Sequence, residues 1–187
     1  MKPPKPSIYR VRTVARADSK GPPTGARRPV FRSPLQCRVI LFAGDVNRFL
    51  ATGDDTGGAF TQWEVVVPPG GGPRPHVHTR EVESILVLDG RIELDIGGTL
   101  IEAGVGDYVV LPTGVPHAFR NTSSEQAVLL FTVGPAGLEN FFFEVGTEVL
   151  ADSVGQPVRA ADEARRALQA APKYGIRFVD RTTPENA

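Results

Sequence analysis

All three histidines of this chain fall between residues 70 and 121, and their spacing suits ligands to one metal ion. His76 and His78 are two apart, and alternate residues of a strand project from one face, so two imidazoles point the same way. Glu83 follows after four intervening residues and precedes the Asp89-Gly90 pair, a signal for a tight hairpin, so it opens the next strand. His117 begins a strand after the turn Pro112-Thr-Gly-Val-Pro116, which brings a third imidazole back toward the first two. Neutral imidazoles with one carboxylate suit iron, manganese, cobalt, nickel, copper or zinc. The lack of thiolate partners argues against a closed structural zinc site. Four protein ligands leave about two positions of an octahedral shell free, and an open position implies chemistry.

The elements that must hold these groups are short strands: 37–42, 48–51, 59–67, 83–88, 91–96, 99–101, 108–111, 117–120 and 127–133. Gly-, Asp- and Pro-rich turns join them, a pattern expected of an all-β sandwich or barrel. With Glu83 inward, Ile85 and Val87 point inward too, leaving Leu86 and Leu88 on the outer face. Phe119, two residues beyond His117, also faces inward, so the pocket beside the ligands should be apolar, with no evident inward Arg or Lys. Helices are expected over 138–145 and 158–171, the second docking through Val158, Ala161, Ala164 and Leu168. Trp63 and the run Phe141 to Phe143 read as core rather than substrate contacts.

The formal charge of the 187 residues is zero but unevenly placed. Nine of the twenty-one Lys and Arg fall in residues 1–32, against the single acid Asp18. Dispersed among prolines, they suit a solvated arm or a strand on a partner's acidic surface better than a nucleic-acid or membrane site. Ile8 to Val14 alternates as one strand. A lone cysteine, Cys37, excludes an internal disulfide and reads as a buried structural thiol. With no leader pattern and no apolar run of spanning length, the expected location is the cytoplasm.

The two histidine stretches closely resemble the motifs of the cupin superfamily. Gly70, His76, His78, Glu83 and Gly90 match the first motif, and Gly106, Pro112, Gly114, His117 and Asn121 match the second. The resemblance covers roughly residues 40 to 135. It implies a cupin (RmlC-like) double-stranded β-helix, a jelly-roll barrel, over 35–135. A basic N-terminal arm would occupy 1–34 and a short helical tail 136–187. It also implies one divalent transition metal ion on His76, His78, Glu83 and His117, and an arm that pairs with a second subunit in a homodimer. Glu81 is too close to His78 for the family pattern and is expected in a solvated turn.

Cupins include dioxygenases, isomerases, epimerases, decarboxylases and binding proteins. With every histidine committed to metal, no imidazole is left as the base that the deoxysugar epimerase branch needs. Neither flank offers the paired helices of a DNA-binding sensor. The text around Phe60 to Pro73, around Pro116 to Thr122 and at Tyr174 to Val179 is similar to bacterial single-domain cupins of the quercetin 2,3-dioxygenase type. That similarity implies a dioxygenase acting on an aromatic or enol substrate with O2. Glu83 would be both ligand and proton acceptor, and Ile85, Val87 and Phe119 would touch the substrate. The rivals are an isomerase or cyclase working on a carbonyl without O2, and a metal- or small-ligand-binding module without turnover.

Overall fold

The computed structural model describes residues 28–150 and 162–180. All the elements below fall within residues 32–180. The strands are β1 (Arg38–Phe42), β2 (Asp45–Ala51), β3 (Thr61–Val67), β4 (His76–His78), β5 (Val82–Asp89) and β6 (Arg91–Ile96). They continue with β7 (Thr99–Gly104), β8 (Tyr108–Leu111), β9 (His117–Arg120), β10 (Ala127–Gly134), β11 (Thr147–Val149) and β12 (Ile176–Phe178). Three α-helices are interspersed: α1 (Gly53–Thr56), α2 (Glu139–Val145) and α3 (Glu163–Ala170). The expected strand at 8–14 lies outside the described residues.

The strands make two antiparallel sheets, one of seven in the order β11-β1-β2-β3-β10-β5-β8 and one of five in the order β12-β4-β9-β6-β7. This is the all-β, two-sheet architecture expected. Alternation sets the buried faces: Glu83, Ile85 and Val87 of β5 are buried while Ser84, Leu86 and Leu88 are half-buried. In β3 every second residue from Thr61 to Val67 is buried.

Register builds the core. Phe49, Trp63, Phe131 and Ile85 stand opposite one another on four adjacent strands, so their side chains meet on one face. Trp63 stacks between Phe49 and Phe131, with centroids 5.8 and 5.2 Å apart. Full burial of each such side chain stabilises the fold by roughly 1.5–3 kcal/mol. Cys37 is buried, as expected.

Beyond the barrel the helical expectation needs amending. Residues 136–180 supply two strands as well as helices, β11 pairing with β1 and β12 with β4. Their three residues each are too few for an alternating pattern to register. Helix α3 does not bury the stripe expected of it. Ala164 and Leu168 are exposed, whereas Glu163, Ala167 and Ala170 are buried; Val158 and Ala161 lie outside the described residues. On this inward face the Glu163 carboxylate accepts the Ala43 N–H at 3.0 Å. Glu139 plays a similar part for α2, accepting from Gly53 N–H, Gly137 N–H and the Thr61 hydroxyl.

Candidate metal centre

The centre lies where the two sheets face each other. β4 and β9, neighbours in the five-stranded sheet, present the histidines with His76 opposite His117. Glu83 comes from β5 in the seven-stranded sheet, opposite Leu111 on one side and Val133 on the other. One nitrogen from each of His76, His78 and His117 lies within 4.8 Å of the other two. The Glu83 oxygens approach His78 Nε2 at 3.3 Å and His117 Nε2 at 3.4 Å. His78, Glu83 and His117 are each 4% exposed. The three histidines therefore cluster, with the Glu83 carboxylate against two of them.

Their hydrogen bonds set which nitrogens are available. His76 Nδ1 lies 2.9 Å from the Arg74 carbonyl and His117 Nδ1 lies 3.0 Å from the Val115 carbonyl. A carbonyl only accepts, so each Nδ1 carries a proton, and in the neutral ring Nε2 is the nitrogen with a lone pair for a ligand. The turn before β9 helps fix the pair, since Gly114 N–H donates to the His78 carbonyl. Gly114 takes a φ of 87°, a left-handed value that a side chain disfavours.

Electrostatics favours a cation here. Burial, reinforced by the charges of His117 and His78, pushes His76 down to about 3, so it is a neutral donor at ordinary pH. Burial alone would raise the Glu83 carboxyl, but His117 and His78 hold it well below the usual carboxylate range. Burial would lower His117, yet the Glu83 carboxylate lifts it above its ordinary value. A proton is thus drawn between buried imidazole and carboxylate, and a divalent ion can take its place. The donor set, imidazole nitrogens with a carboxylate and no thiolate, fits a divalent transition ion.

Glu81 is not in a solvated turn. It is 3% exposed, and its carboxylate oxygen faces His78 Nδ1 at 3.8 Å, on the side away from Glu83. Burial raises its carboxyl above the ordinary value. The Thr113 hydroxyl, which donates to the Glu81 carbonyl, ties this residue inward. The sequence shows nothing of that contact, because it joins a loop to a turn 32 positions away.

A cavity of about 320 Å³ opens onto His76, His78 and Glu83. Its walls are aromatic: Phe42, Trp63, Phe119, Phe131, Phe141, Phe142 and Phe178. Of the three expected apolar contacts, Phe119 lines it. Ile85 and Val87 do not; they are packed in the core and line a separate cavity with Ile92, Leu94 and Val109. Phe131, the register partner of Ile85, provides the wall instead. Trp63 belongs to the core and also faces the cavity, as do Phe141 and Phe142. Sequence reading missed Asp45, Asn47 and Glu163, which add polar groups to the lining, and Arg74, an exposed basic residue there. The exposed Ala164 and Leu168 of α3 line this cavity too.

The model of the family described as "Cupin domain" matches residues 63–133. Over 124 residues the chain is 30% identical to Protein SchB of Streptomyces halstedii, covering 60% of this chain and 88% of that relative. The chain belongs to the cupin family. This cupin is also 32% identical over 149 residues to the quercetin 2,3-dioxygenase of Bacillus subtilis (strain 168). That match takes in 77% of this chain but spans only 42% of the relative's length. Among solved structures, an RmlC-like cupin from Shewanella frigidimarina NCIMB 400 is similar in fold, with a TM-score of 0.53 at 18% identity, covering 60% of this chain and 96% of that one. Among the described residues, no helix is long and apolar enough to cross a membrane.

Proposed function

We propose that this cupin is a metal-dependent dioxygenase that opens an aromatic or enol ring with O2, its substrate a flavonol of the quercetin type. The observation that carries the reading is the aromatic-walled cavity opening onto His76, His78 and Glu83. Its size falls at the small end of ligand pockets and its walls suit a flat, apolar ring system. The similarity to a quercetin 2,3-dioxygenase supports the same reading.

In this reading His76, His78, Glu83 and His117 hold the ion. A divalent transition metal there supplies Lewis acidity and an open coordination position. Glu83, ionised and aimed at the centre, accepts the proton of the substrate's enol hydroxyl. Phe119, Phe131 and Trp63 hold the ring flat and exclude water from the anion so formed. Asp45, Asn47 and Glu163 offer acceptors to the hydroxyl groups of a polyphenol. Ring opening by O2 with loss of carbon monoxide completes the reaction.

Oxygen uptake tests the proposal. Protein loaded in turn with iron, manganese, cobalt or nickel should consume O2 when given quercetin or a related enol. No uptake across that panel would overturn the dioxygenase reading in favour of a carbonyl isomerase or cyclase.

A further inference from the structure

The three histidines differ in what stands behind them. His76 and His117 each donate Nδ1–H to the carbonyl two residues earlier, a neutral acceptor fixed by the backbone. His78 makes no such bond. Its Nδ1 is buried without a hydrogen-bond partner, and so is Oε2 of Glu81, which faces it at 3.8 Å. A donor and an acceptor, each costly to leave unpaired, thus confront one another across slightly more than a hydrogen bond. The segment that bears them is tethered at both ends of the contact: Gly114 N–H holds the His78 carbonyl and the Thr113 hydroxyl holds the Glu81 carbonyl.

We infer that Glu81 is a positioning residue for His78, accepting its Nδ1–H and so aiming Nε2 at the metal. This rests on the metal-binding part of the proposed function and not on the dioxygenase part. When Nε2 gives its lone pair to a cation, the proton of the neutral ring must sit on Nδ1, and Glu81 is the acceptor in place. A bond to a carboxylate is stronger than one to a carbonyl and makes the ring a better donor. His78 is therefore the ligand whose strength the protein sets through a side chain, while His76 and His117 are set through the main chain.

The test is direct titration of the apo full-length protein with Zn²⁺ or Co²⁺, comparing wild type with Glu81→Gln, Glu81→Asp and Glu81→Leu. Loss of a ligand's supporting partner is expected to weaken metal binding about 10- to 100-fold in Glu81→Leu. Glu81→Gln should recover most of that loss, because its carbonyl oxygen reaches the same position. Glu81→Asp should not recover it, because it keeps the charge but withdraws the oxygen. In zinc-loaded protein labelled with ¹⁵N-histidine, the His78 Nδ1–H signal should be protected in wild type and Glu81→Gln and lost in the other two. Binding by Glu81→Leu within twofold of wild type, or recovery by Asp rather than Gln, overturns the assignment. A wild type that binds no ion overturns the metal reading itself.

Discussion

Two glutamates two residues apart face different ways because strand alternation is broken between them. Glu83 starts the regular part of β5 and turns into the barrel, whereas Glu81 lies before the strand and turns behind His78. Glu83→Ala should lose most of the bound metal while keeping the fold, read by metal analysis and circular dichroism on the same sample. Full metal content in that variant would remove Glu83 from the ligand set. The ligand spacing could be read from the chain because His-x-His and a hairpin signal are local facts. The burial of Glu81 could not, since it depends on a turn from elsewhere. Gly72 is another residue fixed by distant structure: at φ 126°, an added Cβ would fall 2.1 Å from the Phe119 carbonyl oxygen. Gly72→Ala should therefore cost about 3 kcal/mol or more, seen as a lower urea midpoint. An unchanged midpoint would mean that the two segments separate freely.

At the level of elements, most of the barrel strands could be read from periodicity, and the exceptions have physical causes. The short helix α1 occupies a stretch that reads as turn chemistry, yet its Thr52-x-x-Asp55 start is a capping pattern, and Asp55 accepts the Thr52 N–H at 2.9 Å. Arg32 adds a bidentate pair to the same carboxylate at 2.8 and 2.9 Å and bonds the Leu50 carbonyl. Chiefly through this Arg32 hydrogen bond, Asp55 is held down to about 2 from 3.8. A carboxyl depressed in the folded state stabilises above its unfolded pKa and ceases to do so as pH falls through its folded one. Arg32→Ala should cost about 1 kcal/mol at pH 7, allowing for solvent screening, and the gap should narrow between pH 4 and 2. Denaturant melts at both ends of that range check it; a gap independent of pH would assign the loss to the Leu50 contact. Helix α3 shows the limit of a pattern argument. Its apolar residues suggested one docking face, but the buried side centres on Glu163, Ala167 and Ala170, and Ala164 and Leu168 stay exposed at the cavity.

For the whole molecule, the chief consequence is that the candidate ligands come from both sheets. An ion on histidines of one sheet and a carboxylate of the other would join them, and a ligand that binds only the folded state stabilises it by mass action. At metal a hundredfold above its dissociation constant the gain is about 2.7 kcal/mol. For a chain of this size that corresponds to a rise of roughly 5–10 °C in melting temperature. Thermal melts of chelator-treated protein with and without added metal measure it, and no shift at saturating metal would mean that the sheets are not bridged.

The strand bearing His76 and His78 meets β9 through one residue pair, His76 with His117, but meets β12 through three. During synthesis the codons for all four candidate ligands are translated well before those for Ile176–Phe178. A growing polypeptide halted between them would own every donor atom while the outer edge of its His-x-His strand stayed unzipped. The outer edge of the strand that carries His76 and His78 is closed only once Ile176–Phe178 has joined it.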